Sequence, residues 1–374
     1  MRITLRASSM ATLGLFLSLC ATAAAQRAAA PAAASRPAAD ATTRIAAAAQ
    51  AVLASLDEAG RAKVQFPFEG PQKTRWSNFP TGIFERQGLR MGDLTPAQRA
   101  KVTTLLTTAL SADGYRKVTE IIRGDEVLKT TGGGPRGGGP RGGGPGGGGP
   151  GGAPPGGRGG RGGGLIFGEA EYYLAFLGTP SATAPWMLQF GGHHLAINLT
   201  MAGSQATMAP SLPAAQPASY TFEGREIRPL GQENDKAFAL INALDAAQKA
   251  KAILAYRVAD LVLGPGQDGR VVQPEGLPGA ALTPAQQAML LDLVREWAGF
   301  TTDAFTEPRM AEIRAALPRT YFAWSGPTTN GSVAYFRIQG PALVIEYAPQ
   351  GSVDHIHTVY RDPTNDYGAT FVAK

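Results

Sequence analysis

Apolar residues recur at three- and four-residue steps in several parts of the chain, and this spacing gives a helix one apolar face. The pattern predicts a first amphipathic helix that starts at Thr42 and carries Ile45 and Leu56 on its buried side. It also predicts helical regions over residues 234–262 and 284–316.

The tetrapeptide Thr-Pro-Ala-Gln occurs at residues 95–98 and again at residues 283–286. In each copy the threonine can cap the first free N–H groups, the proline suits the first helical position, and the glutamine can return the capping bond. The flanking sequences differ, so the two copies indicate two helix starts rather than an internal repeat.

Apolar segments separated by glycine and proline predict strands. One strand covers residues 172–177, and residues 186–200 form a strand pair or a bent strand broken at Gly191 and Gly192. An antiparallel meander follows near the C-terminus, with strands at residues 321–324, 333–339, 343–347 and 355–360. We therefore expect an α+β fold in which helices pack on a twisted antiparallel sheet and the chain ends in a β-meander.

The N-terminus carries the pattern of a signal peptide. Arg2 and Arg6 precede a short apolar stretch over residues 10–19, and small residues up to Ala25 provide a cleavage site. The apolar stretch is too short to span a bilayer, and a lipoprotein signal would need a small residue before Cys20, where a leucine stands. We expect cleavage near Ala25 and a periplasmic or extracellular protein without a membrane span.

Cleavage there would remove Cys20, which is the only cysteine of the chain. The mature protein would then have no disulfide, no cysteine nucleophile and no thiolate metal ligand. Residues 26–41 are rich in alanine and proline and are expected to form a flexible leader. Residues 42–374 are expected to form one α+β domain.

Residues 131–164 contain 22 glycines and 6 prolines and no large apolar side chain. Such a composition cannot offset the entropy of ordering, so we expect a disordered insertion in the domain. An RNA tether of the Arg-Gly-Gly type is a weaker interpretation, because the segment has no aromatic residue and only four arginines.

The charge of the chain is concentrated in these two segments. The formal charge is +6, with 35 basic and 29 acidic residues, and the signal and the insertion together contain six arginines and no acid. The rest of the chain is therefore neutral. This distribution does not imply a basic groove that follows phosphates, so nucleic acid is not an expected partner.

All four histidines occur in two pairs, His193-His194 and His355-x-His357. On a strand, residues two apart share a face, so His355 and His357 would present two imidazoles together. Neighbouring residues point to opposite faces, and His194 lies in the more polar of the two alternating sets. We expect His194, His355 and His357 to bind one metal ion, although a bulge at the preceding glycines would bring both members of the first pair into the site.

Glu346 interrupts the apolar run over residues 343–347, and a buried charge needs a partner. It is a candidate for a further ligand or a proton-transfer group, as is His193. The alternative is that Glu346 forms a structural pair with Arg337 on the neighbouring strand. The histidines themselves could also be structural, hydrogen-bonded residues.

Three imidazoles with a carboxylate or water suit zinc, copper or iron, so the expected cofactor is a divalent metal, zinc or copper. The chain contains no nucleophile elbow, phosphate-binding loop or zincin motif. Trp76 and Trp186 lie in loop-like segments and are expected at the surface of a substrate cleft. Trp297 lies on an amphipathic helix and is expected in the core.

Several motifs together resemble domain-of-unknown-function family 3500, which is found in bacteria and fungi. They are the segments at residues 75–80, 94–96, 176–183, 185–186, 190–195, 335–341, 345–347 and 355–363. The resemblance extends over the chain from about residue 45 and implies a single domain without indicating a reaction. The glycine-rich insertion departs from the family pattern.

Three functions are consistent with these features. The leading hypothesis is a secreted metal-dependent hydrolase that uses histidine-bound metal to activate water on a small-molecule or polymer substrate. The first alternative is a copper- or iron-dependent oxidoreductase. The second is a non-catalytic extracytoplasmic binding protein with structural histidines.

Overall fold

The computed structural model describes residues 36–131 and 165–371. The predicted signal peptide and nearly all of the predicted glycine-rich insertion lie outside these residues. The described part contains eight α-helices: α1 (Arg36–Ala54), α2 (Glu58–Val64), α3 (Pro96–Ala109), α4 (Ala112–Thr130), α5 (Gly231–Ala243), α6 (Ala246–Ala252), α7 (Pro284–Ala298) and α8 (Asp303–Ala316). None of them is both long enough and apolar enough to cross a membrane.

Helix α1 is described from Arg36 onward, so the last six residues of the predicted flexible leader are helical instead. Ala38 and Ala41 are buried on the same side as Ile45, which extends the apolar face of the predicted first helix toward the N-terminus. Alanine has the highest helix propensity, and the alanine-rich composition of this stretch therefore favours helix over a leader.

Both Thr-Pro-Ala-Gln copies begin helices as predicted. Thr95 caps α3 and Thr283 caps α7, and in each the glutamine three residues later accepts from the threonine N–H. Residues 234–262 are helical only in part, because Asp245 caps a new helix and the chain leaves α6 after Ala252.

The first sheet is built from β1 (Gln65–Phe66), β3 (Tyr173–Leu177), β4 (Trp186–Gly192), β5 (Leu195–Ala202) and β6 (Gln205–Thr207) in that order. Strand β2 (Leu89–Arg90) pairs with β3, and β7 (Leu212–Pro213) pairs with β5. One face of this sheet packs against α1 and α3 in an apolar core that includes Phe176 and Ile197.

The second sheet is the predicted meander. It contains β10 (Leu277–Pro278), β11 (Tyr321–Ser325), β12 (Tyr335–Gly340), β13 (Leu343–Pro349) and β14 (Ile356–Arg361), each antiparallel to the next. Helices α5 and α7 share its core, in which Trp297 is buried as predicted. A small hairpin of β8 (Tyr220–Phe222) and β9 (Arg225–Ile227) stands apart. The α+β fold class is confirmed.

The segment around β7 joins the two sheets. Leu212 and Pro213 pair with the start of β5, while Ser211 and Ala215 pair with Tyr360 and Ile356 on or beside β14. The N-terminal end of β5 is therefore held beside the N-terminal end of β14. This junction brings together two chain segments that are about 160 residues apart in sequence.

Candidate metal centre

His193 and His194 form the two-residue turn between β4 and β5. Gly192 pairs with Leu195, and His194 adopts φ 61°, in the left-handed region that histidine adopts more often than most residues. The expectation that these histidines lie on a strand and point to opposite faces is therefore wrong. Their rings stack instead, with centroids 3.7 Å apart.

The glycine before this turn has a packing reason. A Cβ at Gly192 would lie 2.6 Å from the ring of Tyr172, and the Tyr172 hydroxyl donates to the carbonyl oxygen of His193 at 2.8 Å. The ring of Tyr172 thus takes the space beside Gly192 and fixes the histidine turn. The same close approach would not leave room for a side chain at this position.

The structure brings His194, His355 and His357 together at one point. The Nε2 atom of His355 lies 3.0 Å from Nε2 of His194 and 3.0 Å from Nε2 of His357. The three residues offer ligand atoms within 4.8 Å of one another. His194 and His357 are buried and His355 is half-buried, so the cluster is reached from the side of His355.

Hydrogen bonding alone does not satisfy this arrangement. Each Nε2 carries either one proton or one lone pair, so His355 makes a full hydrogen bond with only one of its two neighbours. Three lone pairs directed at one metal ion satisfy all three nitrogens. Ligand nitrogens about 2.0–2.1 Å from zinc at tetrahedral angles lie about 3.3 Å apart, which is close to the observed contacts.

The protonation state also suits a metal. Burial lowers the pKa of His194 well below its usual value, and the neighbouring histidines lower it further. Burial and the nearby His357 lower the pKa of His355 to about 4. Both rings are therefore neutral at pH 7 and can donate a lone pair.

Two polar residues contact His357. The Asn78 side-chain nitrogen is 3.2 Å from its Nε2, and an Asp260 carboxylate oxygen is 3.6 Å from its Nδ1. Burial acts to raise the pKa of Asp260, but the hydrogen bond with His357 and the Leu261 N–H outweigh it, so the pKa is lowered. The backbone of Asn78 also accepts from the His194 N–H at 3.1 Å.

His193 lies beside the cluster but outside it. Its Nδ1 is 2.6 Å from Asp125 on α4, and both residues are buried. The second oxygen of Asp125 accepts from the Gly168 N–H at 2.8 Å, and the ring of Phe167 lies 5.0 Å from that of His193. Helix α4 and the segment after the insertion together fix this imidazole.

Glu346 is not brought to the histidines. Its carboxylate accepts from the N–H groups of Val262 and Leu263 at 2.9 and 2.7 Å and from the Tyr335 hydroxyl at 2.6 Å. Burial raises the pKa of Glu346 against these hydrogen bonds. Arg337 is its cross-strand neighbour, but the guanidinium pairs with Glu275 at 2.8 Å.

Trp76 and Trp186 are buried, which corrects the expectation of exposed cleft residues. Trp76 is 6% exposed and Trp186 is 0% exposed. Trp76 donates from Nε1 to the Tyr367 hydroxyl at 2.7 Å, and Trp186 donates to the Ser181 carbonyl oxygen at 2.9 Å. Trp186 lies within β4, so its neighbours in sequence are sheet residues rather than a loop.

Sequence reasoning missed Asn78, Arg86, Asp125 and Asp260. Arg86 donates from Nη2 to the carbonyl oxygens of Ser77, Phe79 and Gly192 at 2.7–2.9 Å. It thereby ties the loop that carries Asn78 to the histidine turn. Asn78 falls in one of the quoted motifs, but Asp125 and Asp260 occur in segments with no motif, and their role depends on tertiary contacts alone.

Comparison with known proteins gives a family but no activity. No curated protein and no solved structure matches the chain. The family model described as protein of unknown function (DUF3500) matches residues 38–369, which is nearly the whole chain and includes every residue of the histidine cluster. The chain therefore belongs to the DUF3500 family.

Proposed function

We propose that His194, His355 and His357 hold one divalent metal ion, zinc in the first instance, and that the protein is a metal-dependent hydrolase. The observation that carries the proposal is the pair of 3.0 Å contacts that His355 Nε2 makes with Nε2 of His194 and of His357, because hydrogen bonding cannot satisfy both contacts at once. Three protein ligands and an open fourth position are the usual composition of a catalytic zinc site.

The surroundings of the cluster support a catalytic rather than a closed structural site. His355 is half-buried, so a water molecule or a substrate can reach the open position. Asp260 lies near Nδ1 of His357, and such a carboxylate holds a ligand imidazole in one tautomer and orientation. The amide of Asn78 lies at the same point and is positioned to hydrogen-bond a group held at the fourth position.

A bound metal ion supplies a water molecule of lowered pKa and polarises a carbonyl or phosphoryl oxygen. The proton of that water needs an acceptor. His193 stacks on His194, and its Nδ1 donates to Asp125, which leaves Nε2 as the basic nitrogen. Among the described residues, this Nε2 has no hydrogen-bond partner. We assign His193 the proton-transfer role and Asp125 the role of holding its tautomer.

Elemental analysis and calorimetric titration with zinc test the metal site on tag-free protein. One zinc per chain is expected, with binding lost in His194→Asn, His355→Gln and His357→Gln and retained in His193→Gln. Absence of zinc, copper and iron from the purified protein, and of binding after reloading, would refute the metal centre.

Chromogenic esters and phosphodiesters then test the reaction. The zinc form is expected to hydrolyse at least one of these classes, and His193→Gln is expected to lose turnover while keeping zinc. Redox turnover that follows copper loading, with no hydrolysis in the zinc form, would instead favour the oxidoreductase. A zinc site with four protein ligands would exclude both enzymes.

A location outside the cytoplasm is part of the proposal. It rests on the signal-peptide pattern of residues 1–25. N-terminal sequencing of protein expressed from the full chain tests it. A mature N-terminus at Gln26 is expected, and a protein that retains Met1 would contradict it.

A further inference from the structure

An irregular segment of 24 residues, 253–276, connects α6 to β10. It crosses the second sheet on the face opposite to α5 and α7, and side chains from four strands of the sheet hydrogen-bond to it. These side chains belong to Ser325, Arg337, Gln339, Glu346 and Arg361. Loops of this length within a domain are uncommon and are often functional. Within the segment, Asp260 reaches the histidine cluster.

Asp260 is connected to both histidines of the His355-x-His357 pair. Its Oδ1 lies 3.6 Å from Nδ1 of His357. The same oxygen accepts from the Gln350 side chain at 2.7 Å, and the Gln350 N–H donates to the His355 carbonyl oxygen at 2.7 Å. The position of Asp260 therefore affects the ring of one ligand and the backbone of the other.

The Asp260 side chain is not held in place by its own packing, because it is 60% exposed. At 3.6 Å its carboxylate is at the outer limit of contact with the His357 ring, so a displacement of about 1 Å away from β14 would lose the contact. The contact therefore depends on how firmly the backbone around Asp260 is attached to the sheet.

The carboxylate of Glu346 provides this attachment directly after Asp260. It accepts from the N–H groups of Val262 and Leu263, which follow Asp260 by two and three residues. Glu346 is fully buried and forms no ion pair with a cation of the described residues, so the cost of desolvating its charge is offset by hydrogen bonds. Two of its three hydrogen bonds hold this segment, and the third comes from Tyr335.

The register of the sheet places this attachment beside the ligand histidine. Glu346 pairs with Val359 on β14, and Val359 is two residues from His357, so the side chains of Val359 and His357 share the outer face. Arg361, two residues further along that face, donates to two carbonyl oxygens of the same segment at 2.7 and 3.1 Å. The segment therefore follows β14, with Asp260 at the His357 end of the face.

We propose that Glu346 is a positioning residue of the metal centre, because it holds the segment that places the Asp260 carboxylate beside His357. This role rests on the proposed metal centre and extends it to a buried side chain outside the histidine cluster. Asp260 keeps the Nδ1 proton of His357 on its own side, which leaves the Nε2 lone pair for the metal ion.

Calorimetric titration of the tag-free full chain with zinc tests the proposal in the parent protein, Asp260→Asn, Glu346→Gln and the double variant. Asp260→Asn is expected to weaken zinc binding about 10- to 100-fold, the usual effect of removing such a carboxylate. Glu346→Gln is expected to weaken it by up to the same factor, because an amide offers one acceptor oxygen where the carboxylate offers two. The double variant should bind zinc as tightly as Asp260→Asn alone, since both changes interrupt one route. Weaker binding by the double variant would show that Glu346 acts by another route and would overturn the proposal.

Two control variants separate positioning from general effects on the fold. Glu275→Gln removes another carboxylate from the same irregular segment, the partner of Arg337 at 2.8 Å. Tyr335→Phe removes the third donor to Glu346 and leaves both of its bonds to the segment. Both variants are expected to keep the zinc affinity of the parent protein. A loss in either as large as that in Glu346→Gln would refute the positioning role.

Hydrogen exchange of the parent protein gives a second measurement if Glu346→Gln fails to fold. Coupling between two sites is reciprocal, so if release of Val262 and Leu263 weakens zinc binding, bound zinc must oppose that release by the same factor. Zinc is therefore expected to slow the exchange of these two amides by about 10- to 100-fold. Equal exchange with and without zinc would overturn the proposal.

These measurements distinguish the positioning role from the metal centre itself. A parent protein that binds no zinc would refute the metal centre and the positioning role with it. A parent protein that binds zinc, together with a Glu346→Gln variant that binds it equally tightly, would refute the positioning role alone.

Discussion

Replacing His194 by asparagine is expected to abolish metal binding without destabilising the metal-free protein. His194 has φ 61°, a conformation that asparagine also adopts readily, so the turn is preserved. The shorter side chain removes one of the three Nε2 atoms from a contact that hydrogen bonds cannot satisfy. The metal-free variant should therefore remain within about 1 kcal/mol of the parent protein, the size of one net hydrogen bond.

The size of the expected zinc effect on Tm follows from the linkage between zinc binding and folding. Zinc at a hundredfold excess over its dissociation constant stabilises the folded state by about 2.7 kcal/mol. The described domain has about 300 residues, and a melting entropy of about 2.1 cal/mol/K per residue converts this gain to a rise of about 4 °C in Tm. The asparagine variant should show no rise.

His193→Asn is the matched control, because it makes the same substitution one residue earlier in the same turn. It removes the partner of Asp125 Oδ1 at 2.6 Å and leaves that buried oxygen unsatisfied. The metal-free protein should lose about 1–3 kcal/mol, the usual cost of an orphaned buried group. The zinc-dependent rise in Tm should survive.

Scanning calorimetry with chelator and with zinc measures both quantities for the parent and the two variants. His194→Asn is expected to lose the zinc-dependent rise in Tm, and His193→Asn is expected to lose stability without metal while keeping that rise. A zinc response in His194→Asn, or its loss in both variants, would refute the assignment of ligands.

Three further predictions concern the rest of the fold. Metal-free protein should lose stability as the pH falls from about 6.5 to about 4, because His194 and His355 take up protons in the unfolded chain and stay neutral in the folded protein. In chelator-treated melts across this range, the fall of Tm with pH should be less steep in His355→Gln, and an unchanged slope would contradict the prediction. Lys117→Met should lower the free energy of unfolding in urea by about 3–5 kcal/mol, since it leaves fully buried Glu233 without its partner at 2.6 Å. Adding Glu233→Gln should recover part of this loss, and equal stabilities of the single and double variants would argue against a charged pair. Thr283→Ala should cost about 1 kcal/mol by removing the cap of α7, while Thr283→Ser should restore it, and an effect of serine as large as that of alanine would exclude capping as the cause.

The elements that sequence predicted well are those fixed by local physics. The capping boxes at Thr95 and Thr283 need only four consecutive residues, and both are present. The meander strands need alternation and turn residues, and their bounds differ from the prediction by at most two residues. Tertiary contacts change neither the capping boxes nor the alternation and turns that define the strands.

The sequence predicts which histidines form the cluster but not how the backbone brings them together. Period-two alternation selected His194 over His193, but both residues lie in a turn, where alternation has no meaning. His194 reaches the cluster because its left-handed backbone directs it there. Gly192 at the start of this turn packs against Tyr172, which lies just before β3, and no local pattern specifies that contact.

The prediction that the two tryptophans are exposed is wrong for a related reason. A loop-like sequence predicts that Trp76 and Trp186 lie at the surface, but such a segment can also cover a sheet or begin a strand. Segment 72–87 does so on the face that carries Ala175 and Ala196. The small residues of that face are the sequence feature that indicates this packing, because they leave space on the sheet that another segment must fill.

The position of the site between two sheets has a thermodynamic consequence. His194 lies in the β4–β5 turn of the first sheet, His357 lies on β14 of the second sheet with His355 just before it, and the β7 segment holds these sheets together by bonds to both. The Ala214 N–H donates to the His194 carbonyl oxygen at 2.8 Å, and the Ala215 N–H donates to the Ile356 carbonyl oxygen at 2.9 Å. The same segment therefore fixes the backbone on both sides of the cluster. Because the ligands meet when this junction is formed, a metal ion that binds them would stabilise the junction by an amount that rises with the metal concentration relative to its dissociation constant. In the metal-free protein one of the two Nε2 contacts of His355 lacks a full hydrogen bond, which acts in the opposite direction, so the contact between the sheets is the part of the fold most sensitive to metal.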